Sequence, residues 1–304
     1  RHGGLTFGQL QDQSGMIQIA MRKDVVGEEV YAFFHETIDV GDFLEVSGSV
    51  FLTKKGEKTL EVNAYRLISK AVLPLPEKWH GLSDVEARYR QRELDLLVNP
   101  EVRQRFIVRS KLISSLRSFL DKMDFLEVET PILQPIPGGA NARPFVTHHN
   151  ALDANLFLRI APELYLKRLI IGGFEKVYEI GRLFRNEGID QSHNPEFTTI
   201  ELYWAFVEKE EFIQALEDIM RHIVEQATGK LQLSHEGTVI DFGSSYPRVT
   251  FREAIQRACG IDIDAYRNKA DLQQAVSKAK LNIDFSRCVG IGEFYDELFK
   301  KTAR

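Results

Sequence analysis

The sequence predicts an α+β protein in which a small N-terminal β-barrel precedes a larger domain of strands and helices. Short alternating apolar segments broken by glycine turns fill residues 7–67, and closely spaced strands of this kind are typical of small barrels. Beyond residue 99, apolar residues recur at helical spacing between shorter strand-like segments. With 304 residues, 43% of them hydrophobic, the chain is long enough for about two domains with separate cores.

Four strand-like segments make up the predicted barrel, which we expect to be a partial OB-fold. Turns at Gly15, Gly41 and Gly56 separate these segments from one another. The four segments are residues 7–10, 16–21, 43–51 and 59–67.

Prolines mark the boundary between the two predicted domains. Residues 73–78 contain Pro74 and Pro76, which disfavour helix at and before their positions. We therefore predict an OB-fold domain over residues 1–72, a linker over 73–98 and a second domain over 99–304.

Capping residues predict the helices of the second domain. Asn99 followed by Pro100 is typical of a helix start, and helical apolar spacing continues to about residue 124. A strand over residues 125–131 follows and ends at Pro131. Further helix boundaries are predicted at Pro162-Glu163, at Lys209, at Thr228-Gly229 and at the capping box of Thr250 and Glu253.

Composition restricts the classes of function. The 39 basic and 44 acidic residues give a net charge of −5, so nucleic acid would be bound by local patches rather than by bulk attraction. No apolar run approaches the ~18 residues of a membrane span, and we expect no membrane partner. Cys259 and Cys288 are far apart in sequence, which predicts neither a disulfide framework nor a zinc site and is typical of a reducing cytoplasm.

Two strand-like segments between residues 176 and 204 are predicted to carry a polar face. Side chains alternate along a strand, so Arg185 and Glu187 are expected to share one face of the first segment. The turn-rich loop of residues 188–195 joins the segments and is placed to fold over a ligand. On the second segment, one face is predicted to carry Phe197, Thr199, Glu201 and Tyr203, and the core face Ile200, Leu202 and Trp204.

These residue types suit an enzyme that activates a carboxylate with ATP. The guanidinium of Arg185 suits the charge that develops at the α-phosphate, Phe197 offers an aromatic face to adenine, and Glu201 offers a carboxylate to a substrate ammonium. The alternative is an ordinary exposed hairpin in which Arg185 and Glu187 form a solvated ion pair. A second acidic residue, Glu163, which follows the Gly138-Gly139 pair, favours the enzyme.

These segments resemble class II aminoacyl-tRNA synthetases, and in particular their lysine subgroup. Residues 184–188 and 193–197 are similar to motif 2, and the helix and strand around Phe125 to Pro131 are similar to motif 1, which implies a homodimer. The resemblance covers essentially the whole chain and implies an antiparallel-sheet catalytic domain flanked by helices. The lysine subgroup is indicated by residues 137–140, 143–145, 149–150 and 159–167.

The resemblance implies a lysine–tRNA ligase. Such an enzyme activates L-lysine with ATP and Mg²⁺ to lysyl-adenylate and transfers the lysyl group to the 3′ end of tRNA(Lys). Arg185 would be the catalytic residue, bridging the lysine carboxylate and the α-phosphate. Lysine would be bound by Gly139, Glu163, Arg185, Glu201 and Tyr203, and ATP by Arg185, Glu187, His193, Asn194 and Phe197.

In the barrel, Phe7 and Gln18 match positions that contact anticodon bases in this family. A phenylalanine on a barrel strand is as often a core residue, so both interpretations of Phe7 stay open. Residues 1–70 carry 8 basic and 10 acidic residues, so binding would depend on stacking more than on net charge.

Two other groups of residues have alternative interpretations. The cluster of Arg88, Arg90 and Arg92 would contact tRNA or, more often for such a spacing, another domain or subunit. His148 and His149 are adjacent, so on a strand they face opposite ways and are expected to be structural or pocket-lining rather than a metal pair.

The third motif of the class II family is not found in the sequence. Residues 289–294 are glycine-rich but lack the arginine that binds the ATP tail. We therefore expect a chain truncated at both ends, with the Mg²⁺ carboxylates beyond Arg304. Besides the ligase, two other functions stay open. One is a non-catalytic tRNA- or lysine-binding fragment or paralogue, and the other is an enzyme that transfers lysine to another acceptor.

Overall fold

The computed structural model describes residues 3–73, 75, 82–190, 192–286 and 288–303. The chain divides into two units, Arg1–Ser110 and Lys111–Arg304. The proline-rich segment at the predicted domain boundary lies mostly outside the described residues.

The first unit is built on a four-stranded sheet, and the four predicted strand segments are confirmed. The strands are β1 (Leu5–Gln11), β2 (Met16–Arg22), β3 (Phe43–Leu52) and β4 (Lys58–Ser69). Their order in the sheet is β1-β2-β4-β3, in which β1 and β2 are antiparallel, β2 and β4 are parallel, and β3 and β4 are antiparallel.

Among the described residues the sheet stays open, with β1 and β3 at its edges. The pairing of β3 with β4 shifts between Ser47 and Gly48, and such a shift bends a strand. A Cβ atom at Gly48 would overlap the backbone carbonyl of Glu61, so only glycine allows this close approach.

Two helices between β2 and β3 are absent from the sequence-based prediction. They are α1 (Lys23–Val26) and α2 (Glu28–Thr37), separated by Gly27 at a φ of +87°. Tyr31 and Phe34 of α2 pack against the small core of Ile19, Met21 and Val62. The helices therefore cover one face of the sheet.

Two short helices, α3 (Val85–Arg90) and α4 (Arg92–Val98), are joined through the buried carboxylate of Asp95. Arg88 and Arg92 pair with Asp95 at 2.8 and 2.5 Å, and the side-chain amide of Asn99 donates to it at 2.7 Å. Burial disfavours the charged carboxylate, but the hydrogen bonds from Asn99 and Arg88 outweigh it and lower the pKa of Asp95. These two arginines therefore stabilise the fold.

The second unit contains three sheets in its described part, with strand orders β10-β9-β5, β6-β8-β7 and β11-β12. The helix α5 (Pro100–Lys122) enters this unit from the first. The strands are β5 (Leu126–Glu127), β6 (Leu133–Gln134), β7 (Val146–His149), β8 (Ala154–Leu158), β9 (Lys176–Phe184), β10 (Glu196–Trp204), β11 (Gln232–His235) and β12 (Thr238–Asp241). The other helices are α6 (Glu163–Ile171), α7 (Lys209–Thr228), α8 (Phe251–Cys259), α9 (Lys269–Lys278) and α10 (Ile291–Thr302).

The helix caps agree with the sequence-based predictions. α5 begins at Pro100, and α6 begins at Glu163 after Pro162. α7 ends at Gly229, which is left-handed with a φ of +77°. At the start of α8, the predicted capping box forms between Thr250 and Glu253. The predicted strand over residues 125–131 is shorter than expected, because only Leu126 and Glu127 pair, in parallel, with β9.

One of the two hydrophobic cores in the described part of the second unit lies between the β9–β10 hairpin and the helices α5 and α7, and the other is formed by α8, α9, α10 and the segments between them. Leu116 and Leu120 of α5 and Ile219 and Ile223 of α7 pack around Tyr178 of β9. The even-numbered side chains of β10 join this core, as alternation predicts; they are Ile200, Leu202 and Trp204.

A buried ion pair connects the end of β8 to the middle of β9. Arg159 and Glu179 are each 3% exposed, and their side chains pair directly. Arg159 also donates to the carbonyls of Arg182 at 2.9 Å and Thr130 at 3.3 Å, and the Thr130 hydroxyl donates to the second oxygen of Glu179 at 2.7 Å. A Cβ atom at Gly181 would overlap the Nη2 atom of Arg159. Glycine at this position therefore makes room for the guanidinium.

We expect Gly181→Ala to lower the free energy of unfolding by about 1–3 kcal/mol, because the added methyl group displaces a buried guanidinium from a packed interior. Urea unfolding followed by circular dichroism measures the change. Gly188→Ala is the matched control, since a Cβ atom there would meet no atom within 4 Å. Equal stability of the two variants would contradict the packing argument.

Candidate active site

The face of the β9–β10 hairpin that points away from the core carries the candidate site. The two strands are antiparallel and pair Glu201 with Glu179, Thr199 with Gly181 and Phe197 with Leu183. The predicted alternation of β10 is therefore confirmed, and Phe197, Thr199, Glu201 and Tyr203 share one face.

Glu201 is a partly buried carboxylate in this face. No lysine, arginine or histidine among the described residues forms an ion pair with it. Burial raises the pKa of Glu201 above the ordinary value, and the charge of Glu163 raises it further, against smaller opposing effects of Tyr203 and Arg185. Burial and the nearby charges of Glu201 and Glu163 also raise the pKa of Tyr203, to about 12. The site therefore favours a cation.

Gly139 and Glu163 are brought together as the sequence predicts. Glu163 is the first residue of α6 and pairs with Lys167 at 2.5 Å. Gly139 has a φ of +86°, and a Cβ atom added to it would lie 2.9 Å from the Cβ of Glu163 and 3.0 Å from that of Ala161. A side chain at position 139 would thus fill the space beside Glu163.

Arg185 follows the end of β9 at Phe184, so the alternation argument does not apply to Arg185 and Glu187, which lie in the loop. The backbone N–H of Arg185 donates to the carbonyl of Pro195 at 2.8 Å, and its guanidinium lies 5.2 Å from the centre of the Phe197 ring. The Nε atom of Arg185 is buried without a hydrogen-bond partner among the described residues. An unsatisfied buried donor is costly, and a phosphate or carboxylate oxygen would satisfy it.

The remaining predicted ATP ligands lie in the loop between the strands. The carboxylate of Glu187 accepts a hydrogen bond from the backbone N–H of Arg143 at 3.3 Å. His193 and Asn194 are exposed, and the Nδ1 atom of His193 lies 2.8 Å from Asp190. Hydrogen bonds from the loop backbone and from His193 lower the pKa of Asp190 to about 2. His193 and Asn194 thus lie in the exposed loop, whereas Glu201 lies on β10.

Two site-supporting residues, Arg159 and Glu179, are absent from the sequence-based prediction of the site. Glu179 lies between apolar residues on β9, which is a sign of a buried carboxylate, but its position opposite Glu201 depends on the hairpin register.

The adjacent histidines His148 and His149 form hydrogen bonds within their own hairpin. His148 lies 3.2 Å from the Asn155 side-chain oxygen, and His149 accepts a hydrogen bond from the Leu152 N–H at 3.3 Å.

In the first unit, Phe7 and Gln18 lie on the sheet face opposite to the core. Phe7 pairs with Ala20, two residues from Gln18, whereas Ile19 belongs to the core. Phe7 is 47% exposed, so it is not a core residue. The Gln18 side chain accepts a hydrogen bond from Thr59 at 2.8 Å. An open groove of about 1140 Å³ lies beside this face, lined among others by Phe7, Phe51, Arg22, Lys23 and Lys54.

None of the helices in the described part of the chain has both the length and the apolar character that a bilayer crossing requires.

Two family profiles match the chain. The profile described as tRNA synthetases class II (D, K and N) matches residues 84–296. The profile described as OB-fold nucleic acid binding domain matches residues 1–68. The first match contains the hairpin with Glu201, and the second contains the groove beside Phe7.

Curated relatives are named lysine–tRNA ligase. The protein of Carboxydothermus hydrogenoformans is 49% identical over 99% of this chain and 61% of its own length. The protein of Syntrophomonas wolfei is 50% identical, over 99% of this chain and 60% of its own length. The protein of Aquifex aeolicus is 48% identical over 99% of this chain and 50% of its own length. The chain thus spans about 60% of the length of the first two relatives. With the synthetase profile matching more than half of its residues, the chain belongs to the class II tRNA synthetases of the D, K and N type.

Proposed function

We propose that the chain is the lysine-activating and anticodon-binding part of a lysine–tRNA ligase. Glu201 is the observation that carries this proposal, because it is a partly buried carboxylate without an ion pair among the described residues. A desolvated carboxylate binds an ammonium well and a neutral side chain poorly, so it selects lysine over uncharged amino acids.

The other predicted lysine ligands surround Glu201. Tyr203 lies on the same face of β10 and contributes its hydroxyl to the ε-ammonium site. Gly139 and Glu163 are in contact and are suited to the α-ammonium group. Arg185, with its buried and unsatisfied Nε, is suited to the lysine carboxylate and the α-phosphate of ATP.

The proposed reaction has two steps. In the first, a carboxylate oxygen of lysine attacks the α-phosphorus of ATP, the bond to the β-phosphate oxygen breaks, and pyrophosphate leaves. In the second, a hydroxyl at the 3′ end of tRNA(Lys) attacks the carbonyl carbon, AMP leaves, and the hydroxyl proton passes to the departing phosphate or to water. Arg185 stabilises the charge that develops at the α-phosphate, so catalysis is mainly positioning and electrostatics.

ATP is proposed to bind between the hairpin and its connecting loop. Phe197 presents its ring to adenine, and the guanidinium of Arg185 already lies over one side of this ring. Glu187, His193 and Asn194 lie in the loop between the two strands and would contact the nucleotide from there.

Mg²⁺ is proposed to enter with the phosphates of ATP. The described residues contain no group of three or more histidine, cysteine or acidic side chains that could hold a metal ion.

A homodimer in the cytoplasm is the proposed state of the protein. Leu126, in the segment similar to motif 1, and Ile132 and Leu133, directly after it, are large apolar residues that stay exposed in the single chain, as is typical of a subunit interface. The two free cysteines, Cys259 and Cys288, support a reducing compartment.

tRNA(Lys) is proposed to place its anticodon bases on the exposed sheet face of the first unit. Phe7 offers a half-exposed ring for stacking, and Gln18 on the same face offers amide hydrogen bonds. Arg22, Lys23 and Lys54 line the groove together with Asp24, Glu28 and Glu61, and Arg22 and Lys23 form ion pairs with these carboxylates. Anticodon binding would therefore depend on stacking more than on net charge.

We expect Glu201→Gln to weaken L-lysine binding about 10- to 100-fold and to leave ATP binding unchanged, because the neutral amide loses the charge-assisted interaction with the ammonium. Isothermal titration calorimetry of the whole chain measures both ligands. Glu196→Gln, on the same strand but exposed and paired with Arg182, is the matched control. Unchanged lysine affinity in Glu201→Gln would refute the selectivity role. The protein encoded by the full coding sequence is then assayed for lysine-dependent exchange of pyrophosphate into ATP, which tests the ligase activity itself.

As the pH is lowered, lysine affinity should begin to fall at a higher pH than it would if Glu201 had the ordinary pKa of a glutamate. The raised pKa of Glu201 means that its carboxylate takes up a proton earlier as the pH falls, whereas the ε-ammonium stays charged throughout. Titrations with lysine from about pH 8 to about pH 5 follow this loss. Norleucine, which lacks the ε-ammonium but keeps the α-ammonium, should show no such dependence, and a parallel loss for both ligands would exclude Glu201 as the cause.

We expect Phe7→Ala to weaken binding of an anticodon stem-loop of tRNA(Lys) about 10- to 100-fold, since stacking on one aromatic ring is worth about 1–3 kcal/mol. Fluorescence anisotropy with a labelled stem-loop measures the affinity. Phe33→Ala is the control, because Phe33 is also exposed but lies on α2 outside the groove. A comparable loss in both variants would contradict the specific role of Phe7.

A further inference from the structure

Two glutamates face each other across the hairpin of the candidate site. Glu179 on β9 and Glu201 on β10 are directly paired residues of an antiparallel ladder, so their side chains leave the sheet on the same face. Like charges in this arrangement repel each other, and in a partly buried face the repulsion is stronger than in water. One of the two charges therefore needs compensation from elsewhere.

Arg159 supplies this compensation to Glu179. Its guanidinium pairs with one oxygen of Glu179, and the hydroxyl of Thr130 donates to the other at 2.7 Å. The Nε atom of Arg159 donates to the carbonyl of Arg182, and its Nη1 atom, which pairs with Glu179, also donates to the carbonyl of Thr130; these bonds hold the guanidinium in place. Arg159 and Glu179 are each 3% exposed, so water does not screen the pair.

The other charged or titratable groups around Glu201 come from three elements. Glu163 of α6 is paired with Lys167, Arg185 lies in the loop after β9, and Tyr203 is on β10 itself. Glu201 thus lies beside two other carboxylates, and each of those has its own cation. The charge on Arg159 is what prevents Glu179 from adding a net negative charge opposite Glu201.

We propose that Arg159 is a positioning residue for lysine recognition, which by pairing with Glu179 keeps the opposite carboxylate of Glu201 ionised and ready for the ε-ammonium. This inference rests on the proposed binding of lysine at Glu201. Arg159 itself touches no substrate. Gly181 belongs to the same arrangement, because only a residue without a side chain leaves space for the guanidinium at this point of β9.

Three variants test the proposal through the pH dependence of L-lysine binding, measured by calorimetry on the whole chain. Arg159→Gln leaves the charge of Glu179 uncompensated, so the loss of affinity on acidification should move to higher pH, and affinity at about pH 6 should fall about tenfold. Glu179→Gln leaves an extra cation, so the loss should move to lower pH. The double variant Arg159→Gln with Glu179→Gln should return close to the parent profile.

A merely structural role of the pair would not shift the profile in opposite directions. Shifts of the same sign in both single variants, or no shift in either, would overturn the proposal. Thr130→Val, which removes only the hydroxyl that binds Glu179, should shift the profile in the direction of Arg159→Gln, and Thr130→Ser should restore it. This pair decides the matter if Arg159→Gln does not fold, which circular dichroism reveals.

The outcome for the parent chain separates this inference from the proposed function. If the parent does not bind lysine at any pH, the proposed function fails and the inference fails with it. If the parent binds lysine with an acid-dependent loss and the variants keep its profile, the proposed function stands and only the role of Arg159 is refuted. Norleucine binding, measured on each variant, should stay unchanged with pH in every case.

Discussion

The buried ion pair of Arg159 and Glu179 is the interaction on which the site depends. A buried ion pair rarely adds stability, because desolvation of the two charges offsets their attraction. Here the pair is satisfied by Thr130 and by the carbonyl of Arg182, so neither charge lacks a partner. The pair allows the hairpin to carry a second carboxylate, Glu201, directly opposite Glu179. A hydrophobic replacement would fill the same space but would change the electrostatics of the face that carries the candidate site.

The register of the hairpin decides which side chains reach the site. One face of β10 packs Leu202 and Trp204 into the core beneath α5 and α7, and the other face carries Glu201 and Tyr203. A slip of one residue would place Glu201 in the hydrophobic core and expose the tryptophan, so core packing strongly disfavours it. The same apolar contacts that stabilise the second unit therefore also hold the carboxylate in position.

The sequence predicts this fold well where a signal is local. The caps at Gly229 and at Thr250 with Glu253, and the alternation of β10, depend on neighbouring residues and are confirmed. The alternation argument does not hold for Arg185 because β9 ends one residue earlier, and strand ends are set by pairing with another strand. The pairing of Arg159, which follows β8, with Glu179 of β9 joins residues that are distant in sequence, and no spacing in the sequence indicates it. The helices α1 and α2 follow β2 without a proline or a strong cap to announce them.

Two arginines near the hairpin have opposite uses, and the difference lies in their partners. Arg159 directs its donors to Glu179 and to backbone carbonyls, so it acts on the protein itself. Arg185 rests against Phe197 and keeps its buried Nε without a partner among the described residues. Among the described residues, neither the negative Glu201 nor the positive Arg185 forms an ion pair. An amino acid with a cationic side chain, activated at its carboxylate, carries the complementary charges, and this match is the physical basis of the proposed preference for lysine and ATP over a neutral substrate.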